Sequence, residues 1–288
     1  MSRNRDRMGP GTKQHDSSAV AAQVLNESPT TSGFSFVVPT EFVELPSGGK
    51  FYSEGHPLHG QDSIEIKQLT AKEEDMLTSR TLLKKGVALE RVIQSIIVDR
   101  KIDPDSLLVG DKNAVIVAMR VSGYGNDYTT QVTCPACDLV QKYSFDLNDA
   151  NIYEGDDYTD LGVVANEDGT FKVTLPVTEI DVNFSLLTSR QEKALSSGIE
   201  SDKKRKGGER TITRQLATIV RSVNEDVSRE AIGYFIDNAP AMDARHLRLS
   251  YQAVSPDVDL TQYFECSECG HEQEMEVPLT ADFFWPDR

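Results

Sequence analysis

The sequence predicts an α+β fold built from two pseudo-repeated helical lobes, each of which ends in a β-hairpin. Two observations lead to this prediction. A C-x-x-C pair lies between two strand-like stretches at two places, Cys134–Cys137 and Cys266–Cys269. A helix start with a capping box, an apolar helical stripe and an aspartate precede both pairs in the same order.

Length and charge set the first limits on function. The chain has 288 residues, 38% of them hydrophobic, so it is long enough for one large or two modest domains. Its formal net charge of −16 argues against duplex nucleic acid as the main partner, because phosphate binding needs a basic surface. The same charge favours basic protein partners.

No membrane span or secretory signal is predicted. No apolar run approaches the roughly 18–20 residues that a membrane span needs, and no apolar segment follows the basic residues of Met1–Arg7. We therefore expect reduced thiols in a cytosol, where metal binding outranks disulfide formation.

We divide the chain into four parts. Residues 1–35 are rich in Ser, Thr, Asn, Gly and Arg and are predicted to be a disordered N-terminal tail. Residues 36–150 are the first repeat with the first cysteine knuckle. Residues 151–179 are an acidic linker with a hairpin, predicted from Asp168-Gly169 between two apolar stretches. Residues 180–288 are the second repeat with the second knuckle.

The first repeat is predicted to begin with extended chain and to continue with three helices. Phe36–Leu45 is extended, and Ile64–Lys67 alternates like a strand. Thr70 and Glu73 form a capping box that starts the first helix. The helices are expected over residues 71–83 and 87–99 and within 107–118, and a loop is expected over Gly123–Asp127.

The second repeat follows the same order. Thr188 and Gln191 give a second capping box. The apolar stripe of its second helix is predicted to include Val220 and Val223. The two cysteine pairs are further apart in sequence than the two capping boxes. Most of this difference fits Ser201–Arg210, a charged insert that is predicted to be a flexible loop. We interpret the two halves as an internal duplication.

One aspartate holds the same place in each half. Asp111 precedes Cys134 by the same distance in sequence as Asp243 precedes Cys266. This match supports the duplication.

The cysteines have the spacing of a metal site. A C-x-x-C turn aims two thiolates at one ion, so two such turns supply the four ligands of a closed structural Zn²⁺ site. Asp138 and Gly270 follow the pairs, and both residue types tolerate the positive φ that such a knuckle needs. The two hairpins then share one ion in a zinc ribbon. The predicted metal ligands are Cys134, Cys137, Cys266 and Cys269.

Other interpretations of these residues stay open. A thioredoxin-like redox pair is one, although neither pair lies at the strand-to-helix turn of a βαβ unit. Four unconnected thiols are another, and a four-thiolate cage suits iron as well as zinc. We interpret His56, His59 and His271 as exposed histidines and not as ligands.

Several short motifs stand in order over residues 40–150. They are Leu45–Tyr52, Glu73-Glu74, Leu82–Gly86, Leu108–Asn113 and Arg120–Gly125, followed by the first knuckle. In this order they resemble the T4-type bacteriophage baseplate protein family, whose members are baseplate hub subunits or hub assembly proteins of contractile-tailed phages. The resemblance implies other phage tail and baseplate proteins as partners and leaves a homo-oligomer open. It implies a place in the virion tail baseplate, and in the host cytoplasm during assembly.

We therefore predict a non-enzymatic structural or assembly component of a contractile tail baseplate, stabilised by a four-cysteine zinc site. No G-x-S-x-G, H-E-x-x-H or dinucleotide motif supports an enzyme, and no catalytic residue is predicted. The alternatives are a zinc-ribbon adaptor that binds nucleic acid or protein, and a thiol redox protein. The acidic balance disfavours nucleic acid as the adaptor's partner.

Overall fold

A computed structural model describes residues 36–155, 158–204, 210–277 and 281–284. It confirms the α+β class, because the chain mixes helices with small antiparallel sheets. The chain from Val38 onward forms one compact unit. The predicted tail, residues 1–35, lies outside the described residues.

The first half contains two strands, four helices and then the first cysteine hairpin. In chain order its elements are β1 Thr40–Glu44, β2 Ser63–Lys67, α1 Ala71–Thr78, α2 Arg80–Lys85, α3 Ala88–Ile96, α4 Val109–Tyr124, β3 Asp127–Thr133 and β4 Val140–Asp146.

The second half has a larger sheet and two long helices before its hairpin. In chain order its elements are β5 Asn151–Tyr153, β6 Val163–Ala165, β7 Thr170–Thr174, β8 Asp181–Ser185, α5 Ser189–Lys204, α6 Thr211–Ile219, β9 Val220–Val223, α7 Arg229–Asn238, α8 Ala241–Val254, β10 Asp257–Asp259, β11 Thr261–Glu265 and β12 Glu272–Glu276. A 3₁₀ turn at Ala281–Phe284 follows.

The sheets are antiparallel and join segments that are both near and far in sequence. β6, β7, β8 and β9 form one four-stranded sheet in that order. β1 pairs with β2, β3 with β4, and β11 with β12. β5 pairs with β10, so the segment that follows the first hairpin lies beside the segment that leads into the second.

The alternation of side chains explains which sheet face enters the core. In β8, Val182 and Phe184 are fully buried, and the alternate residues of the strand are half-buried. Phe171 of β7 pairs with Phe184 across the strands and stacks on it, with ring centroids 5.6 Å apart. The hairpin predicted around Asp168-Gly169 is confirmed as β6–β7, and it belongs to the same sheet as β8.

Both capping boxes are confirmed. The Thr70 N–H donates to the Glu73 carboxylate at 3.2 Å, and the Thr188 N–H donates to Gln191 Oε1 at 2.9 Å. The side chain three residues into each helix therefore satisfies a backbone N–H at the helix start.

Four boundaries differ from the prediction. The helix expected over 71–83 is broken at Ser79, whose extended backbone lies between α1 and α2. α4 continues to Tyr124, so the predicted loop at Gly123–Asp127 begins two residues later. α5 extends to Lys204, so part of the predicted loop at Ser201–Arg210 is helical, and residues 205–209 lie outside the described residues.

The fourth difference is the stripe that includes Val220 and Val223. These residues form β9, not the end of a helix, because they pair with β8. Ile97 behaves similarly in the first half: α3 ends before it, and it bridges to Ile66 of β2. In both places, long-range strand pairing ends a helix that local periodicity would continue.

Two buried aspartates, one in each half, accept hydrogen bonds from turns that have a similar place in the sequence. Asp111, on the first turn of α4, accepts hydrogen bonds from the Ser47 N–H at 3.0 Å, the Ser47 hydroxyl at 2.7 Å and the Tyr52 hydroxyl at 2.7 Å. Asp243, on the first turn of α8, accepts from the Val177 N–H at 2.9 Å and the Thr178 N–H at 3.1 Å. Each carboxylate thus ties a turn that follows a Leu-Pro pair to a long helix.

The two halves also contact each other away from the cysteines. Leu108 bridges to Thr188 in an antiparallel pairing. Gly110 of α4 lies so close to Pro256 that a Cβ atom at Gly110 would lie 2.0 Å from the Pro256 carbonyl oxygen. This approach places the segment that leads into the second hairpin directly on α4.

Candidate metal centre

The two cysteine turns have the same backbone geometry. The Cys134 N–H donates to the Leu139 carbonyl at 2.8 Å, and the Cys266 N–H donates to the His271 carbonyl at 2.9 Å. The residue after each pair has a positive φ, 58° at Asp138 and 64° at Gly270. The sequence predicted both positions, because few residue types other than Gly, Asn and Asp adopt this conformation readily.

The fold brings all four sulfur atoms together. The Sγ atoms of Cys134 and Cys269 are 3.7 Å apart, as are those of Cys137 and Cys266, and all four lie within 4.8 Å of one another. Tetrahedral zinc with Zn–S bonds of about 2.3 Å requires sulfur–sulfur distances of about 3.8 Å. The donor set and its spacing therefore fit a tetrahedral thiolate-bound ion.

The sulfurs differ in exposure. Cys134 and Cys266, the first of each pair, are buried, and Cys137 and Cys269 are exposed. All four are free thiols with no disulfide between them.

Backbone amides make the thiols electrostatically unequal. The Cys269 and Glu268 N–H groups donate to the Cys266 sulfur and lower its pKa to about 6. At Cys137 the Leu139 N–H also lowers the pKa, but desolvation of its sulfur and the three neighbouring thiols raise it by more, to about 12. The four groups titrate as a set, and since a bound cation needs thiolates, metal binding would displace protons from this set.

Polar side chains hold the two hairpins side by side. Gln141 of β4 donates to the Glu265 carbonyl at 3.2 Å and accepts from the Ser267 hydroxyl at 2.6 Å and the Ser267 N–H at 3.0 Å. The Tyr143 hydroxyl donates to the Tyr263 carbonyl at 3.0 Å. Gln141 was not predicted, and no local sequence signal marks it, because its partners lie in the other half of the chain.

A buried arginine binds the backbone at the start of the first hairpin. Arg120 of α4 is fully buried, and it donates to the carbonyls of Phe283 at 2.5 Å, Asp127 at 2.9 Å and Gly125. Its guanidinium carbon lies 5.8 Å from the centroid of the Phe283 ring. Burial lowers the pKa of Arg120. This arginine connects α4, the start of β3 and the C-terminal 3₁₀ turn, and the sequence analysis did not single it out as a site residue.

The prediction of three exposed histidines is right for His59 and wrong for His56 and His271, which are half-buried, and none of the three side chains belongs to the cysteine cluster. His56 is within 2.8 Å of the Ser106 hydroxyl, and His59 is within 2.7 Å of the Tyr52 carbonyl. His271 is half-buried, and its ring lies 3.4 Å from the Gln273 side chain. Within the described residues, the cysteines are the only group of His, Cys, Asp or Glu ligands arranged to hold a metal ion.

Comparison with protein families identifies the family of the chain. The family model for the T4 bacteriophage base plate protein matches residues 38–285, which include both hairpins and all four cysteines. The chain belongs to the T4 bacteriophage base plate protein family. The predicted resemblance is confirmed, and it extends over both halves of the chain.

Membership in the T4 base plate family indicates a structural role in the phage baseplate, with other phage tail proteins as partners. Searches of curated proteins and of solved structures return no match. Within the described ranges, no helix is both long and apolar enough to cross a bilayer.

Proposed function

We propose that this protein is a non-enzymatic building block of the hub region of a contractile tail baseplate, or of its assembly, and that a zinc ion joins its two hairpins. Family membership supports the baseplate role. The single observation that supports the metal is the cluster of four sulfur atoms within 4.8 Å of one another. The protein would act in the host cytoplasm during assembly and reside in the tail baseplate of the virion.

The four cysteines would hold the ion, two from each hairpin. Zinc bound by four thiolates has no open position for water or substrate, so the ion contributes to stability and not to catalysis. Because the unfolded chain has no preformed site, the free energy of metal binding becomes folding free energy. Iron remains a chemical alternative to zinc in the same cage.

We also propose that the two halves arose by duplication, with repeats at residues 36–150 and 180–288. The paired capping boxes, the two knuckles and the equivalent roles of Asp111 and Asp243 support this proposal. β7 pairs antiparallel with β8 as β1 pairs with β2, although β7 lies in the segment assigned to the linker.

A phage complementation experiment tests the function. Phage that lack the gene should produce heads without complete contractile tails, and the wild-type protein should restore them. The Cys269→Ser variant should fail to restore tails, because it removes one ligand. Glu268→Ala is the matched control, since Glu268 is an exposed neighbour in the same turn and its side chain is not a predicted ligand.

Two results would contradict the proposal. Complete tails in the absence of the gene would exclude a required role in the baseplate. Normal tails with Cys269→Ser, at wild-type protein levels, would show that the metal site is not needed for this role.

A further inference from the structure

Four residues on one face of α8 are exposed in the part of the chain that the structure describes. Met242, Arg245, Leu249 and Gln252 are all exposed, with Met242 67% and Leu249 42% accessible. Their spacing of three, four and three residues places them on one side of the helix. We name these four residues the α8 stripe. It spans about 15 Å at 1.5 Å per residue.

The corresponding residues of α4 are covered. Aligning the two halves on their cysteine pairs matches the α8 stripe to Gly110, Asn113, Val117 and Arg120. Gly110 lies against Pro256, Asn113 donates to Asp257 at 3.0 Å, and Arg120 donates to Phe283. The covering segments flank the second hairpin, and the one on Asn113 is extended and acidic. The same side of α8 has no such cover among the described residues.

The stripe is basic as well as apolar, in a protein whose charge is −16. Arg245 lies within the stripe, and Arg248 lies beside it, one turn further along. In the part of the chain that the structure describes, neither guanidinium forms a hydrogen bond or an ion pair, and the Nε atom of Arg248 is buried without a partner. An acidic partner surface with an apolar centre would complement this face.

The second hairpin has a surface of that kind. Its outer face carries Glu272, Glu274 and Glu276 on β12, with Glu265 and Tyr263 on β11, and Tyr263 is 54% exposed. Glu265 lies directly opposite Glu272, so like charges face each other across the strands, which is unfavourable without a cation nearby. None of these glutamates pairs with a Lys or Arg of the described residues.

The lengths of the two surfaces agree. The glutamates of β12 span four residue steps, about 14 Å at 3.4 Å per residue. This is close to the length of the α8 stripe. If the hairpin face of one copy lies along the α8 stripe of another, Tyr263 contacts Met242 and Leu249, and the glutamates approach Arg245 and Arg248.

We propose that the α8 stripe is the docking surface for a second copy of this chain, which binds it through the outer face of its β11–β12 hairpin. The two surfaces are different, so the contact is head-to-tail. Each copy can both receive and donate a hairpin, and the contact therefore builds a closed ring or an open chain of copies.

Sedimentation velocity of the full-length protein, over a range of concentrations and at low and high salt, tests this proposal. The wild type should associate in a concentration-dependent manner, and added salt should weaken the association because opposite charges meet. Arg245→Glu and Glu274→Lys should each weaken it by about tenfold or more. Arg229→Glu, the same charge change on exposed α7, is the matched control and should leave it unchanged.

Mixing the variants distinguishes a head-to-tail contact from a symmetric one. Arg245→Glu keeps an intact hairpin face and Glu274→Lys keeps an intact α8 stripe, so an equimolar mixture should associate more tightly than either variant alone. Circular dichroism and thermal unfolding should show both variants folded like the wild type, since the substituted residues are exposed.

Three results would overturn the proposal. The wild type could remain monomeric at about 100 μM, far above the concentrations at which specific contacts form. The variants could associate like the wild type, or the mixture could fail to associate. A monomeric protein that loses binding to phage tails on Arg245→Glu would assign the stripe to a different tail protein. None of these variants changes a cysteine, so a failure of this proposal is distinguishable from a failure of the zinc proposal.

Discussion

Replacing Gly110 by alanine should push apart α4 and the backbone at Pro256, which lie in close contact. A Cβ atom at this position would lie 2.0 Å from the Pro256 carbonyl oxygen, 2.8 Å from its carbonyl carbon and 2.9 Å from the Asp257 Cα. All three are backbone atoms. No side-chain rotation relieves the contact, and the segment that contains β10 must move.

The size of the effect follows from this geometry. Ordinary contact begins at 3.4 Å, so the backbone must move by about 1.4 Å, the difference from 2.0 Å. Overpacking of this kind costs roughly 1–3 kcal/mol, and the shift also weakens the bond from Asn113 to Asp257, worth about 1.5 kcal/mol or more since the acceptor is charged. Alanine regains up to about 1 kcal/mol as a better helix former. We expect a net loss of about 2.5 kcal/mol.

Thermal unfolding measures this loss, and Gly233→Ala is the matched control. Gly233 lies within α7 with no atom within 4 Å of a Cβ built on it. Gly110→Ala should lower the Tm by about 5 °C, whereas Gly233→Ala should raise it by about 1 °C. If Gly110→Ala melts like the wild type, the contact between α4 and the segment before β11 is not as close as described.

Three further predictions concern single side chains. Cys269→Ser should lose the metal and lower the unfolding free energy by about 3 kcal/mol or more; a variant that retains metal and melts like the parent would contradict this. Arg120→Lys should cost about 3 kcal/mol, because one ammonium cannot replace three carbonyl contacts, and an unchanged urea midpoint would oppose it. Burial raises the pKa of Glu73, but hydrogen bonds from Ser95 and Thr70 lower it by more, so the net pKa lies below the ordinary 4.5. The contribution of the Glu73 carboxylate to the free energy of unfolding is therefore complete above the unfolded-state pKa. It is lost as the pH falls through the folded-state pKa. Glu73→Gln keeps the capping box, as Gln191 does in the second half, so below about pH 5 its stability should fall less steeply than that of the wild type; equal slopes would refute the assignment.

The features that the sequence predicted correctly are encoded within a few residues. A capping box needs only Thr70 and Glu73, and a cysteine knuckle needs only two cysteines and the residue that follows them. Asp138 and Gly270 have the predicted positive φ because this preference is a property of the residue itself. Such signals do not depend on the rest of the fold.

The features that the sequence analysis missed depend on distant partners. Val220 and Val223 fit a helical stripe equally well, and only their pairing with β8 makes them a strand. The Gln141 contacts across the hairpins and the Arg120 bond to Phe283 join residues far apart in the chain. Their side chains carry no pattern that names a partner, so they become visible only when the two halves meet.

The metal content of the purified protein, together with sulfur coordination by X-ray absorption, tests the central claim most directly. The account predicts one zinc ion per chain, bound to four sulfur atoms at about 2.3 Å. A purified protein that is folded but contains no metal, with four freely reactive thiols, would contradict it.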